Sequence, residues 1–140
     1  MKKKASAIWK GSIKEGGGVI STESGVLKDA PYGFNARFEG GKGTNPEELI
    51  GAAHAGCFSM ALATMLGDAG LTAKKIETHA VVTLEKSNPG YEITKVHLNV
   101  VADVPGADAK QFQDIANKTK TGCPVSKLLK AEITLEATLS

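Results

Sequence analysis

Hydrophobic and polar positions change rhythm three times along the chain. Up to Glu39, short apolar runs (Ala7-Ile8-Trp9, Gly18-Val19-Ile20-Ser21-Thr22 and Gly33-Phe34-Asn35-Ala36-Arg37-Phe38) are broken by glycine, aspartate and proline. That punctuation predicts two or three antiparallel strands. At Asn45 the pattern becomes helical: Asn45 is a good N-cap, Pro46 suits the first helical position, and Glu48 stands where a capping-box glutamate belongs. Residues 49–67 contain no Asp, Glu, Lys or Arg, and apolar or small residues fall on every side, the pattern of a buried central helix. Beyond Leu71 the period becomes two. Ile76, Thr78, Ala80, Val82 and Leu84 share one face, Ser87-Asn88-Pro89-Gly90 supplies a turn, and 91–104 return with Val96, Leu98 and Val100 inward, predicting a long hairpin. Residues 107–118 read as a second helix with Phe112, Ile115 and Ala116 on one face. Thr121-Gly122-Cys123-Pro124 breaks it and starts a short helix through Leu129, and 132–139 alternate as a last strand. The order predicts an α+β fold, antiparallel sheets packed around a long buried central helix.

The uncharged stretch 49–67 is long enough to raise a membrane span, but His54, Ser59, Thr64 and three glycines make it a poor one. A helix apolar all round is hard to cover within a chain of 140 residues, and Gly51, Ala52, Ala55, Gly56 and Ser59 would let another helix approach closely. A partner subunit is the expected cover.

Composition narrows the classes. A 41% hydrophobic content fills one core without disulfide staples, so 1–140 are expected to form a single domain. A net charge of +2 gives no argument for nucleic acid or an anionic membrane as partner. Met1-Lys2-Lys3-Lys4 is not followed by an apolar run of secretory length, so a cytoplasmic, reducing compartment and free thiols are expected.

Three residues invite chemistry. Arg37 is the lone arginine among seventeen basic residues, and a guanidinium differs from lysine where a planar fork must hold an anion. Cys57, in mid-helix, is by itself readable as a small buried hydrophobe. Cys123 stands at a helix N-terminus, where the dipole and unpaired amides favour a thiolate. As a pair the cysteines could pass through a sulfenic acid to a disulfide, although 66 positions separate them and spacing does not decide contact. Zinc, with His54, His79 and His97 as further ligands, finds no ligand-spacing pattern. His54, three residues before Cys57, raises a cysteine–histidine hydrolase, but no oxyanion hole or orienting group is identifiable, and a packing role for His54 is preferred.

The run Gly43-Thr44-Asn45-Pro46-Glu47-Glu48-Leu49-Ile50-Gly51-Ala52-Ala53-His54-Ala55-Gly56-Cys57-Phe58 and the later Gly122-Cys123-Pro124-Val125-Ser126 resemble the osmotically inducible protein C (OsmC) and organic hydroperoxide resistance (Ohr) family of thiol peroxidases. Ser21-Thr22-Glu23-Ser24-Gly25-Val26-Leu27 and Pro31-Tyr32-Gly33-Phe34-Asn35-Ala36-Arg37-Phe38 are similar to its OsmC branch. The resemblance implies that Cys57 is the peroxidatic cysteine, Cys123 the resolving cysteine, and Arg37 with Glu47 the polar pair activating the first thiolate. A guanidinium stabilises a thiolate in an apolar site, and Glu47 would fix it by charge-assisted hydrogen bonds.

The resemblance further implies an intertwined homodimer and a role in oxidative and osmotic stress defence. The expected substrates are organic hydroperoxides, with hydrogen peroxide reduced less well. Neither haem, flavin nor metal is expected, and a dithiol, pointing to lipoyl groups, would be the reductant. Ten residues of straight helix separate Glu47 from Cys57 by about 15 Å. Either the arginine bridges that gap or Glu47 reaches the Cys57 site of a second subunit. Leu49, Phe58 and Met60 are consistent with an apolar entrance and equally with core packing. Two rivals stay open: a redox-responsive sensor or binding protein using the same cysteines without turnover, and the hydrolase.

Overall fold

A computed structural model describes residues 1–140, whose contacts divide into two units, Met1–Leu49 and Ile50–Ser140. In the first, β1 (Ala5–Lys10), β2 (Gly17–Thr22) and β3 (Ala30–Tyr32) form an antiparallel sheet in that order, with Ile8 opposite Val19 and Val19 opposite Pro31. Gly18 has to be glycine: a Cβ there would strike the Ile8 carbonyl and the ring of Tyr32. With that room, Tyr32 meets Trp9 edge to face at 5.5 Å between ring centroids.

The segment expected as a third strand, Gly33 to Phe38, is instead the short helix α1 (Phe34–Phe38). Phe34, Ala36 and Phe38 satisfy a period of two, but Phe34 and Phe38 are also one helical turn apart, and their rings pack at 5.0 Å. Alternation over so few residues does not separate the two periods, and the strand ends earlier, at Tyr32.

α2 (Pro46–Asp68) starts where the cap pattern places it. Within the second unit Gly51, His54, Phe58, Leu62 and Leu66 form its buried stripe at spacings of three and four. Phe58, Leu62 and Leu66 are fully buried and join Val96, Leu98, Val100, Phe112 and Ala116 in one core, each large side chain contributing about 1.5–3 kcal/mol by leaving water. Within a single chain the opposite face of α2 is not covered: Ala52, Ala53, Gly56, Met60 and Ala63 are exposed, Met60 by 75%. α2 has the length and composition to cross a bilayer, yet its buried stripe supplies the core of this unit.

The predicted hairpin is β4 (Lys75–Lys86) and β5 (Tyr91–Asp103), antiparallel, with Ile76, Ala80 and Val82 turned to the core. α3 (Ala109–Gly122) is capped by Asp108, whose side chain accepts from the Gln111 amide, and buries Phe112, Ala116 and Thr119. α4 (Pro124–Leu128) follows at once, then β6 (Glu132–Leu139), giving the sheet order β4-β5-β6. β6 lies parallel to β5, which corrects the expectation of wholly antiparallel sheets. Its alternation says which side chains face inward but not the direction of the strand. The α3–α4 crossover carries the chain back to the end of the sheet from which β5 started, and a parallel neighbour needs such a crossover.

Candidate active site

Arg37 and Glu47 are brought together by the loop between α1 and α2. Asn45 works in two directions: its Oδ1 accepts from the Glu48 amide at 2.8 Å, capping α2, while its Nδ2 donates to the Ala36 carbonyl at 3.2 Å. The cap that starts α2 therefore also holds the residue beside Arg37. Gly43, with φ +111°, lets the loop pass so close to Pro31 that a Cβ would lie 2.6 Å from its carbonyl oxygen. The capping box is incomplete, because the Glu48 side chain accepts from Thr44 Oγ1 at 2.6 Å.

From this frame Arg37 donates through Nη2 to Glu47 Oε1 at 2.7 Å and through Nε to Oε1 at 3.0 Å and Oε2 at 3.3 Å. Glu47 is nearly buried and Arg37 more open, with side-chain exposures of 11% and 38%. The carboxylate occupies one edge of the guanidinium and leaves the Nη1 donors for another anion or oxygen.

Arg37 also lines a cavity of about 130 Å³ with Trp9, Tyr32, Phe34, Phe38 and Pro46 among its walls. Of the residues read either as an apolar entrance or as core packing, Phe58 is core, and Met60 lies on the exposed face of α2. A signal was available for this aromatic cavity. Four of the seven aromatic residues precede residue 39, far more than a short N-terminal sheet needs.

In the second unit Cys57 and Cys123 are free thiols with their sulfurs 3.1 Å apart, Cys57 half-buried and Cys123 fully buried. Cys123 is the N-cap of α4, but its side chain makes no capping bond. The amide expected to favour its thiolate serves the other sulfur: the backbone N–H of Val125 donates to Cys57. Burial pushes the Cys57 thiol above its ordinary value, the Cys123 sulfur adds to that, and the Val125 amide pulls it back down.

His54 does not pair with Cys57. Its Nε2 lies 2.7 Å from Ser126 Oγ, and its buried Nδ1 has no partner. The hydrolase reading thus lacks its base. His79 meets Glu77 and His97 meets Thr134, so the three histidines considered as zinc ligands are each engaged away from the thiols. Ser126 is a residue the sequence reading missed, although it follows Cys123 by three positions as His54 precedes Cys57 by three.

Burial holds His54 below its ordinary value of 6.5. The unfolded chain takes up a proton near 6.5 while the folded chain does not, so this group's stability contribution is complete above that pH and falls as the pH drops below it. Urea midpoints measured from pH 7.5 down to about 5 should decline more steeply for the parent than for His54→Gln, which does not titrate there. Parallel curves would remove His54 as the cause.

The sequence model of the OsmC-like protein family matches residues 39–138. The chain is 62% identical to Peroxiredoxin OsmC of Escherichia coli (strain K12) over 134 residues, 96% of this chain and 94% of that protein. It is 28% identical to the organic hydroperoxide resistance protein OhrB of Bacillus subtilis (strain 168) over 123 residues, 87% of this chain and 88% of that protein. The crystal structure of Bacillus subtilis OhrB superimposes with a TM-score of 0.68 at 25% identity, covering 98% of both chains. An OsmC-like protein of unknown function from Vibrio cholerae gives 0.77 at 16% identity over 98% of this chain and 99% of that one, a likeness of fold alone. With its family model matched over most of its length and this identity to an OsmC protein, the chain belongs to the OsmC-like protein family.

Proposed function

We propose that this chain is a two-cysteine thiol peroxidase that reduces organic hydroperoxides, and hydrogen peroxide less well, in oxidative and osmotic stress defence. The observation that carries the reading is the 3.1 Å separation of two free sulfurs 66 residues apart in sequence. The Cys57 thiolate attacks a peroxide oxygen, the O–O bond breaks, and the alcohol leaves with a proton, giving Cys57 sulfenic acid. The Cys123 thiol then displaces water, closing the Cys57–Cys123 disulfide, and an external dithiol, a lipoyl group by the family likeness, reopens it by exchange.

A Cys57 thiol pushed up by burial needs a cation to ionise at neutral pH, and Arg37, braced by Glu47, is the group proposed to supply it. The aromatic cavity beside Arg37 suits the alkyl part of an organic hydroperoxide. Glu47 and Cys57 are ten residues apart on one helix, which favours an Arg37–Glu47 pair contributed by a second copy. The exposed small residues of α2, Ala52, Ala53, Gly56 and Ala63, are the proposed dimer seam. In this reading residues 1–140 act as one OsmC-like domain in a cytoplasmic homodimer, without haem, flavin or metal, and without nucleic acid or membrane as partner.

One observation favours a second reading. The raised Cys57 pKa alone would make the thiol slow, as in a sensor that is oxidised without turnover. Steady-state peroxide consumption with a dithiol separates the two. The direct test is the intact mass of reduced protein after one equivalent of cumene hydroperoxide, with peptide mapping. Loss of two hydrogens and a Cys57–Cys123 crosslink are expected; an unchanged mass in folded, reduced protein overturns the proposal.

A further inference from the structure

α4 is five residues long, too short to hold its own conformation, and it carries the backbone immediately after Cys123. Its apolar anchorage is thin: Val125 and neighbouring Leu129 pack partly against the core, while Leu128 is 79% exposed. What ties it to α2 by side-chain polar contact, apart from the two sulfurs, is the 2.7 Å hydrogen bond between Ser126 and His54. His54 is fully buried and Ser126 9% exposed, one helical turn from Cys57 and Cys123 respectively, so the polar pair stands beside the sulfur pair. Stability does not call for it. An apolar pair of the same size would cost nothing in desolvation, whereas here His54 Nδ1 is left buried without a partner. A directional bond at that place fixes register, which apolar contacts of α4 would not.

We infer that His54 and Ser126 are positioning residues that lock α4 onto the His54–Cys57 turn of α2, so that Cys123 meets Cys57 sulfenic acid before a second peroxide does. The inference rests on the two-cysteine reading. Disulfide closure forms the S–S bond, breaks the Cys57 S–O bond, and releases water from the sulfenic hydroxyl and the Cys123 thiol proton. It brings the sulfurs from 3.1 Å to about 2.05 Å. If α4 is displaced, the Cys57 sulfenic acid persists and excess peroxide carries it to sulfinic acid, peroxide being the oxidant and giving up alcohol. A misplacement of roughly 1 Å can cost about 100-fold in such a step.

The test uses the full-length protein and cumene hydroperoxide, following peroxide loss in the first turnover, disulfide formation by quenched mass analysis, and the sulfinic fraction at a fixed peroxide excess. Ser126→Ala is expected to consume the first peroxide at the parent rate, to close the disulfide about 10- to 100-fold more slowly, and to accumulate sulfinic acid. Ser126→Thr, which keeps the hydroxyl, is expected to restore closure. Should Ser126→Ala fail to fold, His54→Gln, which retains an amide facing Ser126, is compared with His54→Leu in the same assay, and faster closure in the glutamine variant is expected. Closure and sulfinic yield equal to the parent, with or without a lower melting temperature, would overturn the inference and leave the pair a structural contact. A parent protein that forms no disulfide at all would overturn the two-cysteine reading first and this inference with it.

Discussion

Serine at position 57 is expected to abolish dithiol-driven peroxide consumption, lowering kcat/KM by on the order of 10³-fold or more, because a hydroxyl at neutral pH is not a nucleophile toward peroxide and no other thiol could take its place. Cys123, the other thiol, is fully buried and has no exposed sulfur to offer. The change should cost little stability. Cys57 is half-buried and only packs against the edge of the core, and Ser and Cys differ mainly in polarity. Cys123→Ser should behave differently: one equivalent of peroxide is still consumed, but oxidation stops at sulfenic acid, trapped by a dimedone probe, and dithiol-driven turnover collapses. Cys57→Ser with undiminished turnover would dismiss Cys57 as the peroxidatic thiol, and the two-cysteine reading with it. Cys123→Ser with full turnover would leave a one-cysteine enzyme.

Arg37→Lys is expected to lower kcat/KM for an organic hydroperoxide by about 100-fold while leaving the unfolding midpoint near that of the parent, since the loss of one preorganised donor group commonly has an effect of that order. Lysine keeps the charge. It cannot reproduce the Nε and Nη2 edge that Glu47 grips, nor leave a second donor edge pointing elsewhere. The pH dependence of Cys57 alkylation should report the same loss. Burial already pushes this thiol up, so losing the oriented donors of the guanidinium, which an ammonium does not reproduce, should move its ionisation to still higher pH and shift the rise of the alkylation rate in the alkaline direction. An Arg37→Lys protein with parental activity and an unshifted profile would remove the guanidinium from the reaction and return the Arg37–Glu47 pair to a structural role.

The long periodic segments were legible in the sequence. Asn45 and Pro46 announce α2, the alternation of 132–139 matches the bounds of β6, and the hairpin keeps the alternating faces of Ile76 to Val82 and Val96 to Val100, with the register shifting between Thr83 and Leu84. Residues 34–38 were not legible, because five positions with phenylalanine at both ends satisfy a strand and a helical turn alike. The direction of β6 was hidden for a different reason, since alternation is the same read from either end. Of the site, residue types and the family motif pointed to Cys57, Cys123, Arg37 and Glu47. The Val125 amide on Cys57 and the Ser126 hydroxyl on His54 were invisible, being set by how α4 folds back after Cys123.

The sequence by itself determined what is local or periodic: where α2 and the hairpin lie, which strand faces are apolar, that Cys123 starts a short helix at Pro124, and that one arginine stands apart from sixteen lysines. Capping, helical period and strand alternation act over a few residues, so neighbouring side chains suffice to specify them. The tertiary structure alone decided which distant groups meet: Cys57 with Cys123 across 66 residues, His54 with Ser126 across 72, and Arg37 with Glu47 through a loop gripped at Asn45. The first two meetings are set by the burial of the α2 stripe and the crossover of α3 and α4, which depend on the whole core of that unit at once, and the third by the fold of the loop before α2.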